Sequence, residues 1–168
     1  MFNKKILLAA TIPLFAATTI AAENVPITGM VESKCSIFTD VQGVYGNPTP
    51  NVLSTARSDG GILPVIRYDV ASADYYKARI GYPNSFSSSP NLPDFVAWAG
   101  STSVKEVSDP LMSDYETDKV EYDNVTEFDL TVAGTVWFEV SSLADYGFNK
   151  AFPAGNYTSI VTAECIAK

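Results

Sequence analysis

Residues 125–140 read VTEFDLTVAGTVWFEV, and this stretch decides the fold class. Phe128, Leu130 and Val132 occupy every second position before Gly134, and apolar residues again occupy every second position from 136 to 140. A period of two is typical of a β-strand with one buried face. The stretch therefore predicts two strands, which either pair as a hairpin or form one bent strand.

The same alternation recurs along the rest of the chain, and no long stretch repeats apolar residues at helical spacing. Residues 25–38 are predicted as an extended arm that runs into a first strand, whereas 43–61 and 83–93 contain the glycine, proline and asparagine residues of loops. Further strands are predicted at 62–71, 76–82, 95–98, 102–107 and 156–167. The strands at 62–71 and 76–82 either pair as a hairpin or cross between sheets. Seven or so short strands indicate an all-β fold, a single immunoglobulin-like antiparallel β-sandwich with an extended N-terminal arm.

The first 21 residues have the layout of a secretory signal peptide. Lys4 and Lys5 precede an apolar run at 6–15, and small residues follow up to Ala21 and Ala22. The run is about ten residues, whereas a membrane-spanning helix needs roughly 20. We therefore predict a signal peptide at 1–21, an exported domain at 22–168 and no membrane span.

Charge and composition narrow the function further. Removal of the signal peptide leaves nine basic residues against 19 acidic ones, and such a surface repels nucleic acid and anionic lipid. The chain contains no histidine, which excludes a Ser-His-Asp triad and a histidine-based zinc site. We predict a protein that is not an enzyme, binds no cofactor and has no nucleic-acid partner.

Two cysteines, Cys35 and Cys165, lie near the two ends of the exported domain. An even pair in an exported chain predicts one disulfide. The alternative, a free reactive thiol, would need a basic neighbour to activate it, and neither cysteine has a histidine or a basic cluster beside it.

The stretch at 109–127 is the most acidic part of the chain and raises the question of a calcium site. The EF-hand pattern fails, because Lys119 stands where glycine is needed and Val125 where the bidentate glutamate is needed. We predict a solvated acidic loop with at most one helical turn at 111–115, and no metal ligands. A carboxylate pair for glycoside hydrolysis is a further possibility that spacing alone does not locate.

Aromatic residues either line a sugar-binding surface or fill the core. In a β-sandwich the second role is the more frequent. Trp137 is the best candidate for exposure, because it alternates with the apolar positions 136, 138 and 140.

The two ends of the exported domain resemble a bacterial fimbrial subunit of the chaperone–usher type. Residues 23–32, ENVPITGMVE, resemble the arm by which such pilins complement a neighbour, and residues 153–162, PAGNYTSIVT, resemble their final strand and its preceding turn. The resemblance implies a sandwich that lacks its last strand, with the arm of the next subunit filling the gap by strand addition. It implies that the inserting arm residues are Val25, Ile27, Met30 and Val31, and that the acceptor strand contributes Tyr157, Val161 and Ala163.

On this interpretation the protein is a structural subunit of a surface fimbria, with adhesion as a further role. Its partners are other copies or related subunits and a periplasmic chaperone, and it passes from the periplasm to the cell surface. The alternative is a self-contained secreted or periplasmic binding domain for a glycan or a metal ion. In that case residues 25–31 pair within their own sandwich, which the bridge between the cysteines closes.

Overall fold

The computed structural model of the protein describes residues 26–30 and 34–168. Within these residues three short helical segments lie among ten strands: two 3₁₀ turns at Arg57–Asp59 and Pro110–Met112, and α1 at Tyr115–Asp118. The strands are β1 (Cys35–Val41), β2 (Gly46–Thr49), β3 (Val52–Ser54), β4 (Val65–Val70), β5 (Tyr76–Gly81), β6 (Ala97–Val107), β7 (Val120–Tyr122), β8 (Val125–Leu130), β9 (Gly134–Asp145) and β10 (Thr162–Ala167).

The strands form two antiparallel sheets. In the six-stranded sheet β9 pairs with β6 along one edge, while its other edge pairs first with β4 and then with β3. β1 lies outside β4, and β2 lies outside β3. The second sheet has the order β10-β5-β8-β7. The predicted all-β antiparallel sandwich is confirmed.

The core lies between the two sheets and is built around Phe138 on β9 and Phe128 on β8. Their ring centroids are 4.3 Å apart, and the Phe138 ring also meets Tyr68 of β4 edge-on at 5.5 Å. All three side chains are fully buried, as are the other apolar residues at alternate positions of β9. The period of two in residues 125–140 therefore does mark the buried faces.

The partnership of the two strands in 125–140 was predicted wrongly, because β8 and β9 belong to different sheets. Residues 131–133 carry the chain across, and Gly134 starts β9 with a φ of 145°. A Cβ atom on Gly134 would come within 2.7 Å of the Met112 side chain, so the crossing also depends on the small residue. For β4 and β5 the second alternative is confirmed, since this connection also crosses between sheets.

Several strand boundaries differ from the prediction. Residues 43–61 were predicted as loop, but β2 and β3 form there; both are short, and β2 contains Pro48, so they carry no period of two. β6 is one strand that continues through Gly100. The first strand begins at Cys35 and the last at Thr162, later than the expected starts.

The acidic stretch is more ordered than the predicted solvated loop. Met112 and Tyr115 are buried in the main core, which fixes the 3₁₀ turn and α1 against the sandwich. Asp109 caps the 3₁₀ turn, because its Oδ1 accepts a hydrogen bond of 2.9 Å from the backbone N–H of Leu111. No local pattern indicates this packing, since the two buried residues stand in an acidic stretch without a repeat of apolar positions.

The chain divides into two units, and the boundary lies between Val31 and Glu32. Of the first unit the structure describes residues 26–30, which have no regular secondary structure. The side chains of Ile27 and Met30 are 98% and 88% exposed. The predicted signal peptide at 1–21 lies outside the described residues.

Ionisation of Tyr68 is expected to destabilise the fold in alkaline solution. Burial raises the pKa of this phenol, whose O–H donates to the backbone carbonyls of Arg79 and Glu164 on the opposite sheet. Because the pKa is higher in the folded state than in the unfolded chain, the stabilising contribution is complete below about pH 10 and is lost as the pH rises further.

Urea unfolding between about pH 9 and 11.5 measures this loss, with Tyr68→Phe as the comparison. The variant should lose less stability over that range than the wild type. Equal slopes for the two proteins would contradict the assignment.

Candidate functional site

A groove of about 690 Å³ lies between the edges of β1 and β10. The two strands belong to different sheets, and among the described residues each pairs on one side only, β1 with β4 and β10 with β5. Backbone N–H and C=O groups along the facing edges are therefore available to another strand.

The disulfide between Cys35 and Cys165 closes one end of this groove. Both residues lie within the flanking strands, and their Cα atoms are 6.2 Å apart. This confirms the predicted bridge and joins the two sheets at the open side of the sandwich. A disulfide is typical of proteins that fold in an oxidising compartment.

The groove has two walls. With increasing distance from the bridge, residue numbers rise along the β1 wall and fall along the other wall, from β10 into the segment before it. Ile37, Thr39 and Val41 line the first wall, and Val161 and Ala163 line the second. Ile66 of β4, which is 6% exposed, lies at the floor. This part of the groove is mainly apolar, with Thr39 as its one hydroxyl among these residues.

At the far end the groove becomes polar. The Tyr45 hydroxyl shares hydrogen bonds with Ser159 Oγ at 2.6 Å and with Ser142 Oγ at 2.9 Å. Ser142 is buried, and its backbone N–H donates to Thr55 Oγ1 at 2.9 Å. These residues lie beyond the apolar part of the groove. On β9, Ser142 comes after the residues that pair with β4, and its carbonyl accepts a hydrogen bond from the N–H of Thr55, which follows β3.

Tyr157 lies at the same end and packs in an aromatic cluster. Its ring contacts Phe86 and Phe152, and its hydroxyl donates to the carbonyl of Pro153 at 2.7 Å. Burial, with a smaller contribution from Tyr146, raises the pKa of Tyr157, so this phenol stays neutral at physiological pH.

The three predicted acceptor residues, Tyr157, Val161 and Ala163, all line the groove. The alternation expected for 156–167 is present, since the odd-numbered residues from 157 to 165 are partly buried and the even-numbered ones from 156 to 164 are exposed. Of the predicted arm residues, Ile27 and Met30 are exposed, while Val25 and Val31 lie outside the described residues. Their insertion into a groove stays a prediction.

Sequence reasoning missed the polar end of the groove. Tyr45 lies in a segment predicted as loop, and Ser142 lies beyond the predicted end of its strand. Nothing in the local pattern marks either residue, because they meet only through the pairing of β3 with β9. Ile37 was placed in the first strand but was not identified as part of a site.

The edge of β6 differs from the groove, because side chains of α1 and of the residue after it bond two of its backbone groups. Glu116 Oε2 accepts from the backbone N–H of Val104 at 2.7 Å, and Lys119 Nζ donates to the carbonyl of Thr102 at 3.1 Å. Lys119 also pairs with Glu116 at 2.7 Å and with Glu121 at 2.9 Å. An acid and a lysine of the predicted solvated loop thus occupy two backbone groups that would otherwise be open to another strand.

Other candidate sites from the sequence gain less support. Trp137 is half-buried, and its indole N–H donates to Asp40 Oδ2 at 2.7 Å, so the ring is fixed on the outer face of the six-stranded sheet. Across residues 26–30 and 34–168, no three histidine, cysteine or acidic side chains lie close enough together to hold a metal ion.

No helix within the described part of the chain is both long and apolar enough to cross a membrane. Comparison with known proteins gives no further guide: no protein family, curated protein or solved structure matches the chain.

Proposed function

We propose that the protein is a structural subunit of an exported fibre of the fimbrial type, assembled by strand addition. The arm at residues 23–32 of one copy supplies the strand that enters the groove between β1 and β10 of another copy. The backbone of the arm pairs with the free strand edges, and its apolar side chains fill the groove.

The groove is the observation that carries this proposal. A strand edge with unpaired backbone groups is normally short, charged or covered, because it otherwise invites association. Here two such edges face one another across a mainly apolar channel, which has the features of a binding site for an extended segment. By contrast, the side chains of Glu116 and Lys119 already bond two backbone groups on the edge of β6.

The arm has the chemistry that the groove needs. Ile27 and Met30 are large apolar side chains that are almost fully exposed, and residues 25–31 contain no charged residue. Transfer of such side chains from water into an apolar channel is favourable by about 1.5 to 3 kcal/mol each.

The proposal requires export, and the disulfide is compatible with it. The site of action is then the periplasm followed by the cell surface, with attachment as a further role. A periplasmic chaperone that covers the groove before assembly is the second kind of partner.

Two variants with complementary defects test the proposal. Ile27→Asp should disable the arm and leave the groove intact, whereas Val161→Asp should disable the groove and leave the arm intact. Each variant of the exported, purified chain should stay monomeric, because an unpaired carboxylate in the channel should weaken association about 100-fold. Light scattering of the mixture should show a heterodimer, in which the intact arm occupies the intact groove.

Thr162→Asp is the matched control. Thr162 is the neighbour of Val161 on β10, but its side chain is exposed, so this variant should polymerise like the wild type. If wild type and both variants behave as identical monomers, alone and mixed, the fibre proposal is wrong. The alternative, a self-contained binding domain, would then be favoured.

A further inference from the structure

The groove is bounded at both ends by contacts that join its two walls. At one end the bridge holds the Cα atoms of Cys35 and Cys165 6.2 Å apart. A strand that lies between two others needs them about 9.6 Å apart, which is twice the usual spacing of about 4.8 Å. An inserted strand therefore cannot continue past the disulfide.

The second boundary is the hydrogen-bonded link through Tyr45. Its hydroxyl lies 2.6 Å from Ser159 Oγ, on the wall that leads into β10, and 2.9 Å from Ser142 Oγ, on β9 of the other sheet. A strand that extended past this point would have to separate Tyr45 from Ser159. Loss of such a bond costs about 1 kcal/mol.

The stretch between the two boundaries is short. On the β10 wall it comprises residues 160–164, which span about 16 Å at ~3.3 Å per residue. Ile37, Thr39 and Val41 line the opposite wall at alternate positions. Since side chains of a strand point inward at every second residue, this stretch offers three inward-facing positions.

We infer that the groove accepts one extended segment of five to six residues, whose length and register are set by the Cys35–Cys165 bridge at one end and by the Tyr45–Ser159 contact at the other. The occupant is the region of residues 25–30 around Ile27 of a second copy. This inference rests on the proposed function and adds that Cys35, Cys165, Tyr45 and Ser159 are positioning residues for the incoming strand.

A series of labelled peptides centred on Ile27 tests the length limit. The peptides cover residues 25–29, 24–30 and 23–31, and the acceptor is the full exported chain with Ile27→Asp, whose own arm does not compete. Fluorescence anisotropy should show that affinity changes less than about three-fold from seven to nine residues. An acceptor that combines Ile27→Asp with Ser159→Ala should lack this length limit. It should bind the nine-residue peptide about five-fold more tightly than the seven-residue one, which is equivalent to ~1 kcal/mol for one hydrogen bond.

Ser142→Ala is the matched control, because it removes the other hydrogen bond of Tyr45 and leaves the contact with Ser159 in place. In the Ile27→Asp background, this control should show the same small difference in affinity between the seven-residue and nine-residue peptides as the Ile27→Asp acceptor itself. The double variant Cys35→Ser, Cys165→Ser tests the opposite boundary, and it should also bind the longest peptide about five-fold more tightly than the seven-residue one.

The outcomes separate this inference from the proposal on which it rests. The length limit alone would be overturned if affinity for the Ile27→Asp acceptor rose with every residue added to the peptide and Ser159→Ala left these affinities unchanged. The same holds if Ser142→Ala and Ser159→Ala have equal effects. Absence of binding for all peptides to all acceptors would overturn the proposed function itself.

Discussion

Replacement of Phe138 by alanine is expected to lower the free energy of unfolding by about 3 to 5 kcal/mol. Phe138 is fully buried on β9, and its ring contacts Phe128 of the opposite sheet and Tyr68 of its own sheet. Alanine would remove these contacts and leave a cavity between two sheets that cannot close around it. Since an entire domain is stable by only about 5 to 15 kcal/mol, this is the largest loss that we expect from a single substitution.

Urea unfolding followed by circular dichroism measures this effect. Glu139→Ala is the matched control, because the next residue on β9 points to the opposite face and is only half-buried. The control should change the free energy of unfolding by less than about 1 kcal/mol. Similar losses for the two variants would contradict the assignment of Phe138 to the centre of the core.

The second large effect is expected from removal of the disulfide. In the Cys35→Ala, Cys165→Ala double variant the free energy of unfolding should fall by about 5 kcal/mol, the chain-entropy value for a cross-link between residues 130 apart. The unfolded chain would gain freedom, and β1 would lose its covalent connection to β10. Among the described residues, β10 is otherwise paired only with β5.

Reduction of the wild type provides an independent measurement of the same quantity. Dithiothreitol should lower the stability of the wild type to that of the double variant and should leave the variant unchanged. A loss below about 1 kcal/mol in both experiments would show that the bridge constrains the unfolded chain little.

Local patterns predict some parts of this fold well. The alternation in residues 125–130 and 136–140 identifies buried faces because strand geometry repeats every two residues, whatever the sheet. The sheet to which each strand belongs depends on partners far away in sequence. This explains why β8 and β9 were wrongly expected to pair as a hairpin or to form one bent strand. Met112 and Tyr115 were missed for a similar reason, since their burial depends on α1 packing against β8 and not on any local repeat.

The candidate site divides in the same way. Tyr157, Val161 and Ala163 were named from the fimbrial resemblance, alternation placed them on one face of their segment, and all three line the groove. Tyr45 and Ser142 are 97 residues apart, and only the folded chain brings their hydroxyls together. The disulfide was predictable because two cysteines allow one pairing, and the fimbrial resemblance implied that it joins the two strands beside the groove.

The cover that Glu116 and Lys119 provide over Thr102 and Val104 bears on the shape of any assembly. If every copy has one groove and one arm, the copies associate head to tail. Such contacts give an open filament when the rotation between copies does not close a ring. An exposed strand edge at β6 would also allow copies to pair sideways, and filaments would then associate laterally. Under the proposed assembly, Glu116 and Lys119 therefore oppose sideways pairing along this part of β6 and favour growth in one dimension.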